Sequence, residues 1–68
     1  MNMLSPRFSK DTMVRVYKDD KPFMEGKIVS SDMNLLTFKW EYDIEYWDVD
    51  EESKRTMIGV PEENIERL

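Results

Sequence analysis

Leu36-Thr37-Phe38-Lys39-Trp40-Glu41-Tyr42-Asp43-Ile44-Glu45 is the stretch that decides the fold. Leu36, Phe38, Trp40, Tyr42 and Ile44 alternate with Thr37, Lys39, Glu41, Asp43 and Glu45. Successive side chains of an extended strand point to opposite faces, so this pattern makes one apolar face and one mostly charged face. The reading is a half-buried strand whose stripe Phe38-Trp40-Tyr42 packs into the core. The alternation slips at Tyr46-Trp47, after which Trp47 and Val49 take the opposite phase. Two aromatics at a phase slip predict a bulge or a strand that changes neighbours.

Working outward, Thr12 to Lys18 reads as a first strand, with Val14 and Val16 on one face and Met13, Arg15 and Tyr17 on the other. Asp19-Asp20-Lys21-Pro22 supplies turn chemistry. Phe23 to Ser30 is a second strand containing Gly26, where glycine marks a bulge, a sharp bend or a close backbone approach. Ser31-Asp32-Met33-Asn34 reads as the next turn. Beyond the central strand, Asp50 to Lys54 is a polar hairpin loop. Arg55 to Val60 returns with Thr56, Ile58 and Val60 on one side. Pro61 cannot donate to a ladder and ends that strand. Pro61-Glu62-Glu63-Asn64 suits a single 3-10 turn, and Ile65 to Leu68 is a short last strand or a helical end. Residues 1–11 read as an irregular lead or one short helical turn, with Ser5-Pro6 as cap and first helical position. Residues 12–68 form one all-β domain of four or five antiparallel strands. A closed or nearly closed small barrel removes exposed edges. The alternative is an open meander completed by dimerisation.

The chain has 68 residues and a mass of 8.2 kDa, and it contains neither histidine nor cysteine. Disulfides, zinc sites, thiol nucleophiles and Ser-His triads are thereby excluded together. The expectation is a protein that is not an enzyme, with no catalytic residues, no cofactor and no metal. Asp43 with Glu45, and Asp48 with Asp50, share strand faces, but a glycosidase needs two carboxyl groups across a cleft, and a chain this small offers little cleft. Asp48-Val49-Asp50-Glu51-Glu52 offers oxygen ligands to a hard cation but lacks the spacing and glycine of an EF-hand. No apolar run approaches the roughly 20 residues needed to cross a bilayer, so a cytoplasmic location without membrane contact is the default. Without disulfide or metal, stability rests on aromatic burial, sheet closure or a partner chain, which leaves room for a homo-oligomer.

Charge is unevenly placed. Residues 1–34 carry six basic and five acidic residues, whereas residues 35–68 carry four basic and ten acidic ones. Glu41 to Glu52 holds seven acids and no base. Such a run is unfavourable for broad contact with a phosphate backbone. It serves either as a solvated surface that keeps an apolar strand soluble or as a docking face for a basic partner.

Three pieces resemble the SH3-like barrel superfold: Val14 to Tyr17 followed by a turn and Phe23 to Val29, the apolar strand Leu36 to Tyr42, and Gly59-Val60-Pro61-Glu62-Glu63-Asn64-Ile65. Two families of that superfold are similar in part. The resemblance to Tudor-like domains implies a cage that holds a cationic side chain over ring faces. Tyr17, Phe23, Tyr42, Tyr46 and Trp47 are the candidate rings, with Asp43, Glu45 and Asp48 beside them. The Sm-like resemblance rests on Gly26, Asp32, Met33 and Asn34, with Asn64-Ile65 near the end, and implies RNA binding.

The leading expectation is a protein-interaction module. Tyr17, Phe23, Tyr46 and Trp47 are its apolar anchors, and Glu45, Asp48, Asp50 and Glu51 complement a protein partner with a basic surface. Two further expectations stand beside it. One is a small acidic inhibitor that occupies the nucleic-acid-binding surface of a target protein. The other is an Sm-like RNA-binding barrel.

Overall fold

The computed structural model describes residues 5–68. It contains five strands and one 3-10 turn: β1 (Met13–Lys18), β2 (Lys21–Asn34), β3 (Lys39–Asp48), β4 (Ser53–Pro61), the 3-10 turn Glu62–Asn64, and β5 (Ile65–Arg67). All pairings are antiparallel, in the order β4-β3-β2-β1-β5. The ladder is open, with β4 and β5 as its edges.

One face of this sheet is buried. Val14 and Val16 of β1, Ile28 of β2, Tyr42 and Ile44 of β3, Val60 of β4 and Ile65 of β5 form the core. A flat single sheet cannot bury four side chains almost completely, as Tyr42, Ile28, Ile44 and Val14 are here, so the sheet curls around that face. Gly26 permits the curl. A Cβ at this position would lie 2.4 Å from the Glu45 carbonyl oxygen and 2.8 Å from an Ile44 methyl. The sequence expectation of a close backbone approach at Gly26 therefore holds.

Asp19 and Asp20 both adopt positive φ, 54° and 62°, and join β1 to β2 in a two-residue turn. That backbone twist matches the twist of the flanking strands, and aspartate tolerates it. Three bulges then set the phase of the strands. Phe23 is unpaired between Val16↔Met24 and Tyr17↔Pro22. On β2, Val29 falls between Ile28↔Ile44 and Ser30↔Asp43. On β4, Ile58 and Gly59 together face Asp43, between Tyr42↔Val60 and Ile44↔Met57. Gly59 has φ +71°, which a glycine adopts without steric cost.

Several local expectations are corrected. β2 begins at Lys21, not Phe23, and continues through Ser31–Asn34, so the next turn comes later, at residues 35–38. The β3–β4 turn is residues 49–52, and Ser53 and Lys54, expected in that loop, already pair in β4. Leu36 is 93% exposed and Phe38 is 64% exposed, so the apolar stripe enters the core only from Trp40 onward. The slip at Tyr46-Trp47 is no bulge, because pairing with β4 runs regularly from Ile44↔Met57 to Asp48↔Ser53. The bulge sits at Asp43 instead. It also breaks the expected alignment on β4: Val60 is buried, while Ile58 is 72% exposed. The lead contains no helix from Ser5 to Thr12; the remainder of the expected turn, residues 1–4, lies outside the described residues. Phe8 of this lead is buried in the core, edge-on to Tyr42 with ring centroids 5.5 Å apart.

Candidate functional site

The acidic run divides between internal work and free surface. Glu41 accepts a hydrogen bond from the Asn34 side-chain amide at 2.9 Å. Asp43 sits between two bulges and holds both, accepting from Ser30 Oγ at 2.7 Å and from the Gly59 backbone N–H at 3.0 Å. Glu45 pairs with Lys54 at 3.9 Å. Asp48 opens the β3–β4 turn, where its Oδ1 accepts from the backbone N–H groups of Asp50 and Glu51, and its Oδ2 pairs with Arg55 at 3.3 Å. The carboxylates of Asp50, Glu51 and Glu52 remain, and all three residues are exposed on the turn. Among the described residues, no three carboxylates converge closely enough to hold a metal ion.

Of the named anchors, Trp47 is 59% exposed and its neighbour Tyr46 is half-buried. Cross-strand pairs share a face, so Trp47 stands over Lys54 on the outer side, whereas Tyr46 stands over Arg55 on the side of Ile44. Val49, at the start of the turn, is 77% exposed. The hairpin end therefore presents a Trp, a Val and three free carboxylates together.

Tyr17 and Phe23 lie elsewhere. With Val16 and Lys18 they form one wall of an open groove of about 330 Å³. The facing wall is Met57, Ile58, Gly59 and Pro61, with Asn64 of the 3-10 turn at its end. Phe23, the residue left unpaired at the β2 bulge, is 53% exposed, and the Lys18 ammonium lies 5.4 Å from its ring centre. The Tyr17 hydroxyl donates to Glu66 at 3.0 Å. The eight sequence-named residues thus fall in two places: Tyr17 and Phe23 at the groove, and Tyr46, Trp47, Glu45, Asp48, Asp50 and Glu51 toward the hairpin end, where Trp47 and Tyr46 take opposite faces of the sheet.

Tyr42 belongs to neither surface. Its hydroxyl accepts from the Phe8 backbone N–H at 3.2 Å and donates to Glu62 at 2.6 Å, and Glu62 also accepts from the Arg7 N–H. Burial, with the Glu62 hydrogen bond second, pushes this phenol up to about 12. The ring clasps the lead onto the sheet, and no cation among the described residues lies over its face. Sequence reasoning missed Met57, Ile58 and Pro61 as groove residues, because the bulge that turns Ile58 outward is a long-range feature. It also missed the exposed turn of Leu35, Leu36 and Phe38; Asn34, a strong turn initiator, was the available signal.

No protein family, curated protein or solved structure matches the chain. No helix among the described residues is long and apolar enough to cross a membrane.

Proposed function

We propose that the chain is a non-enzymatic, SH3-like interaction module that docks a basic protein surface with the end of its β3–β4 hairpin. The meander order β4-β3-β2-β1-β5, the long bulged β2 and the 3-10 turn between β4 and β5 support the SH3-like reading. The observation that carries the functional reading is the exposed Trp47 beside carboxylates that have no internal task. Four of the seven acids between Glu41 and Glu52 serve the fold, and the three that do not are gathered next to Trp47 and Val49. An exposed Trp is an efficient anchor, because it buries a large area at little cost in side-chain entropy. The carboxylates steer a basic partner and set its orientation.

Affinity capture from the native source tests this, with Trp47→Ala and the triple change Asp50→Asn, Glu51→Gln, Glu52→Gln as controls. Trp47→Ala abolishes capture of a basic protein while leaving the fold intact. The triple change slows association and removes most of its salt dependence. A captured partner that Trp47→Ala retains in full would sink the reading. If nucleic acid competes with the chain for that partner, the module acts as an acidic inhibitor of a nucleic-acid-binding protein.

A further inference from the structure

We infer that two copies of this chain associate reciprocally, each placing its β2–β3 turn in the groove of the other. The turn is an apolar tip of fixed shape. Leu35, Leu36 and Phe38 are 74%, 93% and 64% exposed. Asn34 holds them in place: its carbonyl accepts from the N–H groups of Thr37 and Phe38, and its side-chain oxygen accepts from the Leu36 N–H at 2.9 Å. A tip that is already ordered loses little conformational entropy on docking.

The groove is the complementary surface on the same chain. It is concave and lined by Tyr17, Phe23, Met57, Ile58 and Pro61, with Lys18 the one charged side chain among its lining residues. A chain cannot fill its own groove with its own tip. Phe23 lies near the start of the 14-residue β2 and Leu35 just beyond its end, and successive strand residues are separated by about 3.3 Å. A second copy meets no such limit. Residues 35–38 are uncharged, and Lys39 beside them is paired with Glu63 at 3.6 Å. Asp32, exposed at the base of the tip and without an ion pair among the described residues, is opposite in sign to Lys18. The acid-rich β3–β4 turn takes no part in the contact. Two-fold exchange closes the assembly and makes the contact twice, toward the roughly 1,000 Å² that a specific interface needs.

Sedimentation of the whole chain tests this, up to ~1 mM, where even millimolar contacts are populated. The wild-type protein sediments at twice the 8.2 kDa chain mass. Leu36→Asp and Ile58→Lys, both at exposed positions, each sediment at the single-chain mass with unchanged amide spectra. Mixing the two restores a one-to-one complex, because one contact pairs the intact tip of Ile58→Lys with the intact groove of Leu36→Asp, and the other sets the two introduced charges, opposite in sign, against each other. A monomeric wild type at every concentration overturns the proposal. So does dimerisation of Ile58→Lys alone, which would mean that tip meets tip, or a mixture that stays monomeric. A monomer that co-sediments with neutral phosphatidylcholine vesicles also overturns it and assigns the tip to lipid. Trp47 lies outside this contact, so failure here leaves the hairpin reading standing.

Discussion

The turns at the two ends of β3 are built alike and present opposite chemistry. Each begins with an Asx residue, Asn34 or Asp48, whose side-chain oxygen accepts from a backbone N–H two residues on. Each spans four residues, and each ends on a non-glycine residue with positive φ, Phe38 at 57° and Glu52 at 51°. One displays Leu35, Leu36 and Phe38, and the other displays Val49, Asp50, Glu51 and Glu52. Backbone geometry here is set by the first residue and accommodates different side chains after it, with left-handed strain confined to the last position. The exposed positions are therefore free to carry recognition chemistry.

The largest effect expected is one that disturbs both turns at once. Gly26→Ala forces a Cβ against the Glu45 carbonyl and displaces the middle of β3, costing about 3 kcal/mol in urea unfolding. A loss within error would mean that β3 tolerates the shift and that the two turns are independent of the curl. Asp43→Ala releases the bulges on both sides of β3 and costs about 2–3 kcal/mol, since two hydrogen bonds to a charged acceptor are lost. The comparison is sharpened if amide exchange then accelerates at Ser30 and Gly59 but not within either turn.

Raising the pH leaves both turns alone and acts on the strand between them. The Tyr42 phenol is raised in the fold, so its stabilisation is fully present below the usual tyrosine value near 10. It is lost as pH climbs to about 12, on the order of 2 kcal/mol in total. Tyr42→Phe removes this pH-dependent component, which denaturation across that window measures against wild type. Asn34→Ala and Asp48→Ala each cost about 1 kcal/mol and fray their own turn only. Unequal losses would show that the matching backbones rest on different supports. The smallest effects are gains. Phe38→Gly and Glu52→Gly relieve left-handed strain, partly offset by chain entropy, and each raises stability by about 0.5 kcal/mol in dilute thermal melts.

Much of the fold was legible. Val14/Val16 and Tyr42/Ile44 lie on the core face that alternation assigns them, Asp19-Asp20 of the expected four-residue turn makes the turn while Lys21 and Pro22 join β2, and Pro61 precedes the 3-10 turn. Leu36 and Phe38 were misread, because period-two apolarity continues unbroken through a turn that happens to be apolar. The groove was half legible. Tyr17 and Phe23 stood out as aromatics flanking a turn, but Ile58 joins them through a bulge that alternation does not announce.

The sequence by itself determined an all-β chain without imidazole or thiol, its strand faces, its turn initiators and the concentration of acid in its second half. These are local properties, set by residue type and spacing along one strand. Only the tertiary structure decided which acids are spent inside the fold, that Phe8 closes the core, and that Trp47 and the Tyr17–Phe23 pair face different ways. Those outcomes depend on register between strands distant in sequence. A single inserted residue at Val29 or Ile58 reverses the face of everything beyond it.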